Sequence, residues 1–300
     1  MNMRAETFSA AAELPDIIRP RKTYKGFLGV LQRYPSAAIG GFILLLLVLA
    51  AVLAPYLWTV DPLAIAPAKR TRPPSAEFWF GSDAYGRDIY TRVIYGARVS
   101  LIVGFSVAVL ASLVGMLLGV IAGYIRWADG FIMRVMDGLM SIPSILLAIA
   151  LMAVSRGSIT NVIIAVTIAE IPRVARLVRG MVLSLREQAF VDGAITSGTR
   201  TPMVILRHIV PNTTSLLLVQ GTYICASAMI VEAILSFIGA GLPPTTPSWG
   251  NIMADGRMLW QVKPYIVLFP ALFLSITVLS VNLLGDGLRD AFDPKSTRSR

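Results

Sequence analysis

Two carboxylates, Glu170 and Glu232, stand inside apolar runs of this sequence. A carboxylate among apolar residues costs free energy unless it is paired, hydrogen-bonded or hydrated, so each is a functional candidate. Glu170 lies two residues before Pro172, with Arg173 and Arg176 close behind; Glu232 opens the run EAILSFIGAGLPP. Two carboxylates do not make a proton-relay series. Capping a helix or pairing with an arginine is favoured over direct transport chemistry. The remaining reactive side chains are few. His208 is the one histidine and Cys225 the one cysteine. A lone histidine with no Cys or His at ligand spacing makes no zinc site. Cys225, in an apolar segment, excludes an internal disulfide and a cysteine metal site. There is no G-x-x-x-x-G-K-[ST], no H-E-x-x-H and no G-x-S-x-G. The expectation is a chain that is no enzyme, with no catalytic residue, no metal and no cofactor of its own. Any work done here draws on a partner or a gradient.

The elements that hold these residues follow from composition. Of 300 residues, 55% are hydrophobic and only 15% charged, and the mean hydropathy is +0.70. No single soluble core hides that much apolar surface, so the class is all-α and polytopic in a membrane. The net charge of +10 does not indicate nucleic acid, because the basic residues flank apolar runs. Apolar runs predict six transmembrane helices: 37–58, 101–124, about 136–154, 159–177, 215–238 and 265–284. The first is longer than a signal-peptide core, so Ala51-Val52-Leu53-Ala54 is read as no cleavage site, and Tyr56 and Trp58 mark the far interface. The third run is interrupted by Pro143. Six spans put both termini on one side. With the N-terminus inside, 18 of the 27 Lys and Arg residues, Arg19, Arg21, Lys22, Lys25 and Arg33 among them, fall in inside segments. Gly115-x-x-x-Gly119-x-x-x-Gly123 in the second run is spaced for close helix–helix approach.

The stretch 184–212 is the longest polar segment between two apolar runs in the second half, yet it is patterned. Ala189, Phe190, Gly193, Ala194 and Ser197 give a short helix one small apolar face. Ser197-Gly198 supplies a stop. Thr201-Pro202 restarts a helix, with Thr201 as its N-cap, and Pro211-Asn212 closes it. A helix–glycine–helix unit kept outside a bilayer suits docking to another protein, though an ordinary connecting loop fits the same pattern.

This loop resembles the cytoplasmic EAA loop of permease subunits of bacterial ATP-binding cassette importers. Asp192-Gly193-Ala194 stands for Glu-Ala-Ala, Gly198 for the glycine, and His208-Ile209-Val210-Pro211 for Ile-x-Leu-Pro at matching spacing. The Asp, Gly, His and Val are departures from the family pattern. Phe80 to Leu101, Ile171 to Gly180, Glu232 to Arg257 and Asn282 to Pro294 resemble further segments of the second permease of dipeptide, oligopeptide and nickel importers. The resemblance covers roughly residues 30 to 294.

It implies a type I importer transmembrane domain over 97–286, preceded by a cytoplasmic tail (1–36), a first transmembrane helix (37–58) and a periplasmic loop (59–96), and followed by a cytoplasmic tail (287–300). It implies a plasma-membrane subunit of an ATP-driven peptide importer. Its partners would be a homologous second permease, two cytoplasmic ATPase subunits that bind ATP and magnesium, and a solute-binding protein. The coupling loop would use Glu187, Ala189, Phe190, Asp192, Gly193, Ala194, Ser197, Gly198 and Pro211. The alternatives are an ion-coupled transporter or channel using Glu170 and Glu232, and a non-transporting membrane scaffold.

Overall fold

The structure is a computed structural model that describes residues 34–154 and 157–292. The basic N-terminal residues, the C-terminal tail after Phe292 and Arg156 lie outside the described residues. What is described is helical, with one isolated bridge between Ser82 and Asp88. The elements are α1 (Pro35–Val52), α2 (Ile89–Tyr124), α3 (Arg126–Met140), α4 (Ser144–Val154), α5 (Ile159–Arg186), α6 (Ala189–Thr196), α7 (Thr201–Phe237), α8 (Trp249–Gly256) and α9 (Tyr265–Phe292).

Helices α2 and α5 form the central pair. Their close approach is set by the three glycines: a Cβ at Gly115 would lie 2.5 Å from Val174 Cβ, one at Gly119 2.6 Å from the Ala175 carbonyl, and one at Gly123 2.7 Å from Val182 Cβ. The small face thus meets a helix of the same chain. Helix α7 packs on α2 and α9, α1 packs on α9, and α4 packs on α5. Val103 and Val107 of α2, Val166 and Val178 of α5 and Ile224 of α7 share the core. Apolar side chains such as Phe42, Phe105, Leu117, Leu272 and Leu279 point outward, as lipid-facing surfaces require.

By length and apolar composition, four described helices are able to cross a bilayer: α1, α2, α7 and α9, or five if the bent pair α3–α4 counts as one. The expected count of six differs by α5. At 28 residues α5 is long enough, about 42 Å at 1.5 Å per residue. Glu170, Arg173 and Arg176 make it too polar to qualify on composition.

The element boundaries move in several places, among them the end of α9, which runs eight residues past Leu284 to Phe292. Helix α1 stops at Val52 rather than Trp58, because Pro55 has no N–H for the Ala51 carbonyl; Arg98 Nε donates to that carbonyl and Nη2 to Val52 O at 2.9 Å. Tyr56 and Trp58 follow the helix and are exposed. Helix α2 begins at Ile89, twelve residues before the apolar run at Leu101, because Asp88 caps it by accepting from Thr91 N at 2.9 Å. The expected third span is two helices bent by 88° at Ser141-Ile142-Pro143. Helix α5 runs nine residues past Leu177, to Arg186. Pro211 does not close a helix: α7 continues through it. Residues Ile205–Ile209 form a π turn, with Val210 N donating to Ile205 O, and this wider turn accommodates the proline ring. Thr201 is the first helical residue, behind Arg200, and no side chain caps it.

The loop before α2 folds into a cap over one end of the bundle. Phe80 stacks on Phe269 at 4.1 Å between ring centres, and Trp249 Nε1 donates to Val93 O at 3.0 Å. At its exposed rim Lys69 donates to Glu77, and that contact, with Arg72 beyond, holds the Glu77 carboxyl below the ordinary range.

Candidate functional site

Three groups of residues stand out. The first is the helix–glycine–helix unit. Helix α6 is short because Gly198 ends it in a left-handed conformation, φ +81°. Gly198 N donates to Ile195 O at 2.9 Å and Thr199 N to Ala194 O at 3.0 Å, so the last carbonyls of α6 are satisfied without a following turn. Val191 is fully buried and anchors α6 to the bundle. Ala189, Phe190, Asp192, Gly193 and Ser197 are exposed, Ala194 is half-buried, and Glu187 is exposed at the end of α5. A Cβ on Gly193 would meet nothing within 4 Å. The small face therefore answers to no packing need inside this chain. Phe190 lies 6.2 Å from the His208 ring, linking α6 to the start of α7, and Pro211 sits exposed one turn beyond.

The second group is the buried carboxylates, which the structure keeps apart. Glu170 is 2% exposed and lies 3.2 Å from Arg173 Nη1, and it accepts from Ser227 Oγ at 3.2 Å. Glu232 is fully buried at the cap end of α7 and accepts from Ser236 Oγ at 2.9 Å and Ser100 Oγ at 3.3 Å. Ser227 and Ser236 are nine residues apart on α7, about 13 Å. The two carboxylates are thus in separate hydroxyl-lined places and form no relay.

The third group was missed by sequence reasoning. Asp83 is fully buried under the cap and accepts from Arg87 Nε and Arg92 Nη1, each at 2.6 Å. Asp255 of α8 accepts from Arg87 Nη2 at 2.7 Å and Arg92 Nη1 at 2.8 Å. Two cations and two anions balance, and they tie the cap, α2 and α8 together. The available signal was Asp83 four residues before Arg87 in a loop rich in basic residues.

Residues 115–298 match the family described as the inner membrane component of binding-protein-dependent transport systems. The chain belongs to that family. Relatives agree along nearly the full length of this permease. A probable peptide ABC transporter permease of Sinorhizobium fredii is 52% identical, covering 94% of this chain and 96% of its own. A dipeptide transport system permease of Alkalihalophilus pseudofirmus is 42% identical over 88% of each chain. A glutathione transport system permease of Pectobacterium atrosepticum is 39% identical, also over 88% of each. The permease is thus a multi-pass inner-membrane transport component, with the type I importer fold that its resemblance implied.

Proposed function

We propose that this permease is one of two related membrane subunits of an ATP-driven importer of di- and oligopeptides, and that α6 is the piece the energy-supplying subunits hold. The observation that carries the coupling role is the exposed small face of α6, held by the buried Val191 and fixed at its end by Gly198. The cargo follows the relatives, whose names give peptide, dipeptide and glutathione transport.

In this reading two soluble ATPase subunits bind ATP and magnesium, and one of them receives α6 in a groove. Gly193 and Ala189 permit close approach, and Asp192 accepts a charge-assisted hydrogen bond. Closure of the ATPases moves α6, and the turn at Gly198 passes the movement to α7. A solute-binding protein delivers cargo at the cap end, and the termini and the 184–212 loop lie in the cytoplasm, as the charge distribution favours. The ion-coupled alternative gains no support from geometry, because Glu170 and Glu232 sit apart.

The test is affinity purification of the tagged permease from its native membrane in mild detergent, with wild type beside Gly198→Pro and Asp192→Lys. Proline cannot adopt φ +81° and removes the Gly198 N–H that binds Ile195 O. Wild type should bring a second six-span permease and P-loop ATPases. Both variants should keep the second permease, lose the ATPases and lower peptide uptake about tenfold or more. ATPases recovered equally with all three chains, or normal uptake by the variants, would refute the docking role of α6.

A further inference from the structure

The face of the bundle between α5 and α7 carries polar groups that packing does not explain. Glu170 is buried, yet its Oε2 receives no hydrogen bond: the nearby Arg173 Nη1 forms an ion pair without hydrogen-bond alignment. Thr167, one turn earlier on α5 and 7% exposed, has an Oγ1 that is likewise without a partner. Arg173, by contrast, leaves 55% of its side chain open. Ser227 faces the pair from α7, and the residues one turn on either side of it, Tyr223 and Ile230, are exposed.

Depth locates this group. Glu170 is eleven residues from the start of α5 and Ser227 ten from the end of α7, about 15 Å in each case, half of a hydrocarbon layer about 30 Å thick. An open guanidinium at that depth does not face lipid, where its cost is several kcal/mol. The lipid-facing ridges of α1, α2 and α9 are apolar instead. The charged face must therefore line an aqueous or protein-walled space.

We propose that Glu170, Thr167, Ser227 and Arg173 form a cargo-contacting station halfway along the transport path, built for a molecule with both an ammonium and a carboxylate. Glu170 Oε2 and Thr167 Oγ1 are closed off between the helices in this conformation, so the cargo meets them when α5 and α7 part during the transport cycle, and they then accept from the ammonium. The open edge of Arg173 donates to the carboxylate. Each end of the cargo thus replaces water with a group already fixed in place, while the Glu170–Arg173 pair keeps the empty site neutral. No bond is made or broken. The proposal rests on the peptide-importer reading and adds to it the residues that meet the cargo inside the membrane.

The experiment uses the complete importer with its binding protein in proteoliposomes, and tritiated dialanine as probe. Uptake and ATP hydrolysis are measured together. Glu170→Gln should lower the kcat of uptake about tenfold, leave the external KM unchanged because the binding protein sets it, and leave ATP hydrolysis intact. Thr167→Val, of nearly the same shape, should lower uptake about threefold. The double variant Glu170→Gln/Arg173→Gln separates contact from mere charge balance: a cargo contact stays lost in it. Recovery of wild-type uptake in the double variant would overturn the proposal. So would wild-type uptake by Glu170→Gln, or by Thr167→Val should Glu170→Gln fail to assemble. Wild-type importer that takes up no dialanine would overturn the peptide reading itself, and this station with it, whatever the variants do.

Discussion

Asp83→Asn should lower the apparent unfolding temperature of the purified permease by about 10 °C. The Asp83 carboxylate accepts four hydrogen bonds: from the backbone N–H groups of Tyr85 and Arg87, from Arg87 Nε and from Arg92 Nη1. Asparagine keeps the shape but brings an NH2 against donors and removes one of the two negative charges. Arg92, fully buried, then shares a single carboxylate with Arg87. Breaking a buried ion pair by removing one partner costs about 3–5 kcal/mol. The cap should loosen first, so limited proteolysis should cut between residues 59 and 88 faster than in wild type. Adding Arg92→Met should restore part of the loss, because it removes the uncompensated charge. An Asp83→Asn permease with wild-type melting and proteolysis would show that the network contributes nothing to stability.

Gly119→Leu should prevent α2 and α5 from packing at their present distance. The first atom of any side chain there would lie 2.6 Å from the Ala175 carbonyl and 2.7 Å from Val178 Cβ. The carbonyl is helix backbone and cannot turn aside, so one helix must shift. Overpacking of this kind costs about 1–3 kcal/mol even where neighbours are flexible side chains, and more against a rigid helix. The measured result should be a sharp fall in folded protein extracted from the membrane. Gly130→Ala and Gly138→Ala are the controls. A Cβ at either position meets nothing within 4 Å, so both should be neutral or slightly stabilising through helix propensity. If Gly119→Leu accumulates and melts like these controls, the glycine face is not what sets the helix separation.

The residues that could be read in advance were those whose meaning is local. Gly115, Gly119 and Gly123 announced a close contact because their spacing is a helix period, but the facing helix was unknown until α5 folded against them. Gly198 announced a turn because its type suits positive φ. Pro211 misled for the same reason: proline is read as a stop, yet adding one residue to the preceding turn lets the helix continue. Helix α5 ran beyond its apolar stretch because charged residues can ride a helix when the partner is protein or water. Arg179 does so by donating to Asp129 at 2.5 Å and 2.6 Å. The Asp83–Arg87–Arg92–Asp255 cluster was invisible as a unit, since 168 positions separate Arg87 from Asp255. Exposure of α6 was legible only as polarity; that Val191 alone would be buried required the neighbouring helices.

The unbroken course of α7 has a mechanical meaning. Its 37 residues make a rod about 55 Å long. A tilt of about 5° about one end of such a rod carries the other end through about 5 Å. Gly198 lies three residues before one tip, and Glu232 lies near the other. In the coupling proposed for α6, a nudge of one helical turn's rise at the loop would therefore shift the wall of the bundle in proportion to its distance from the far end, by about half as much at mid-depth. The π turn lies between the loop and that wall, and its stiffness sets how much of the nudge reaches the middle of the bundle.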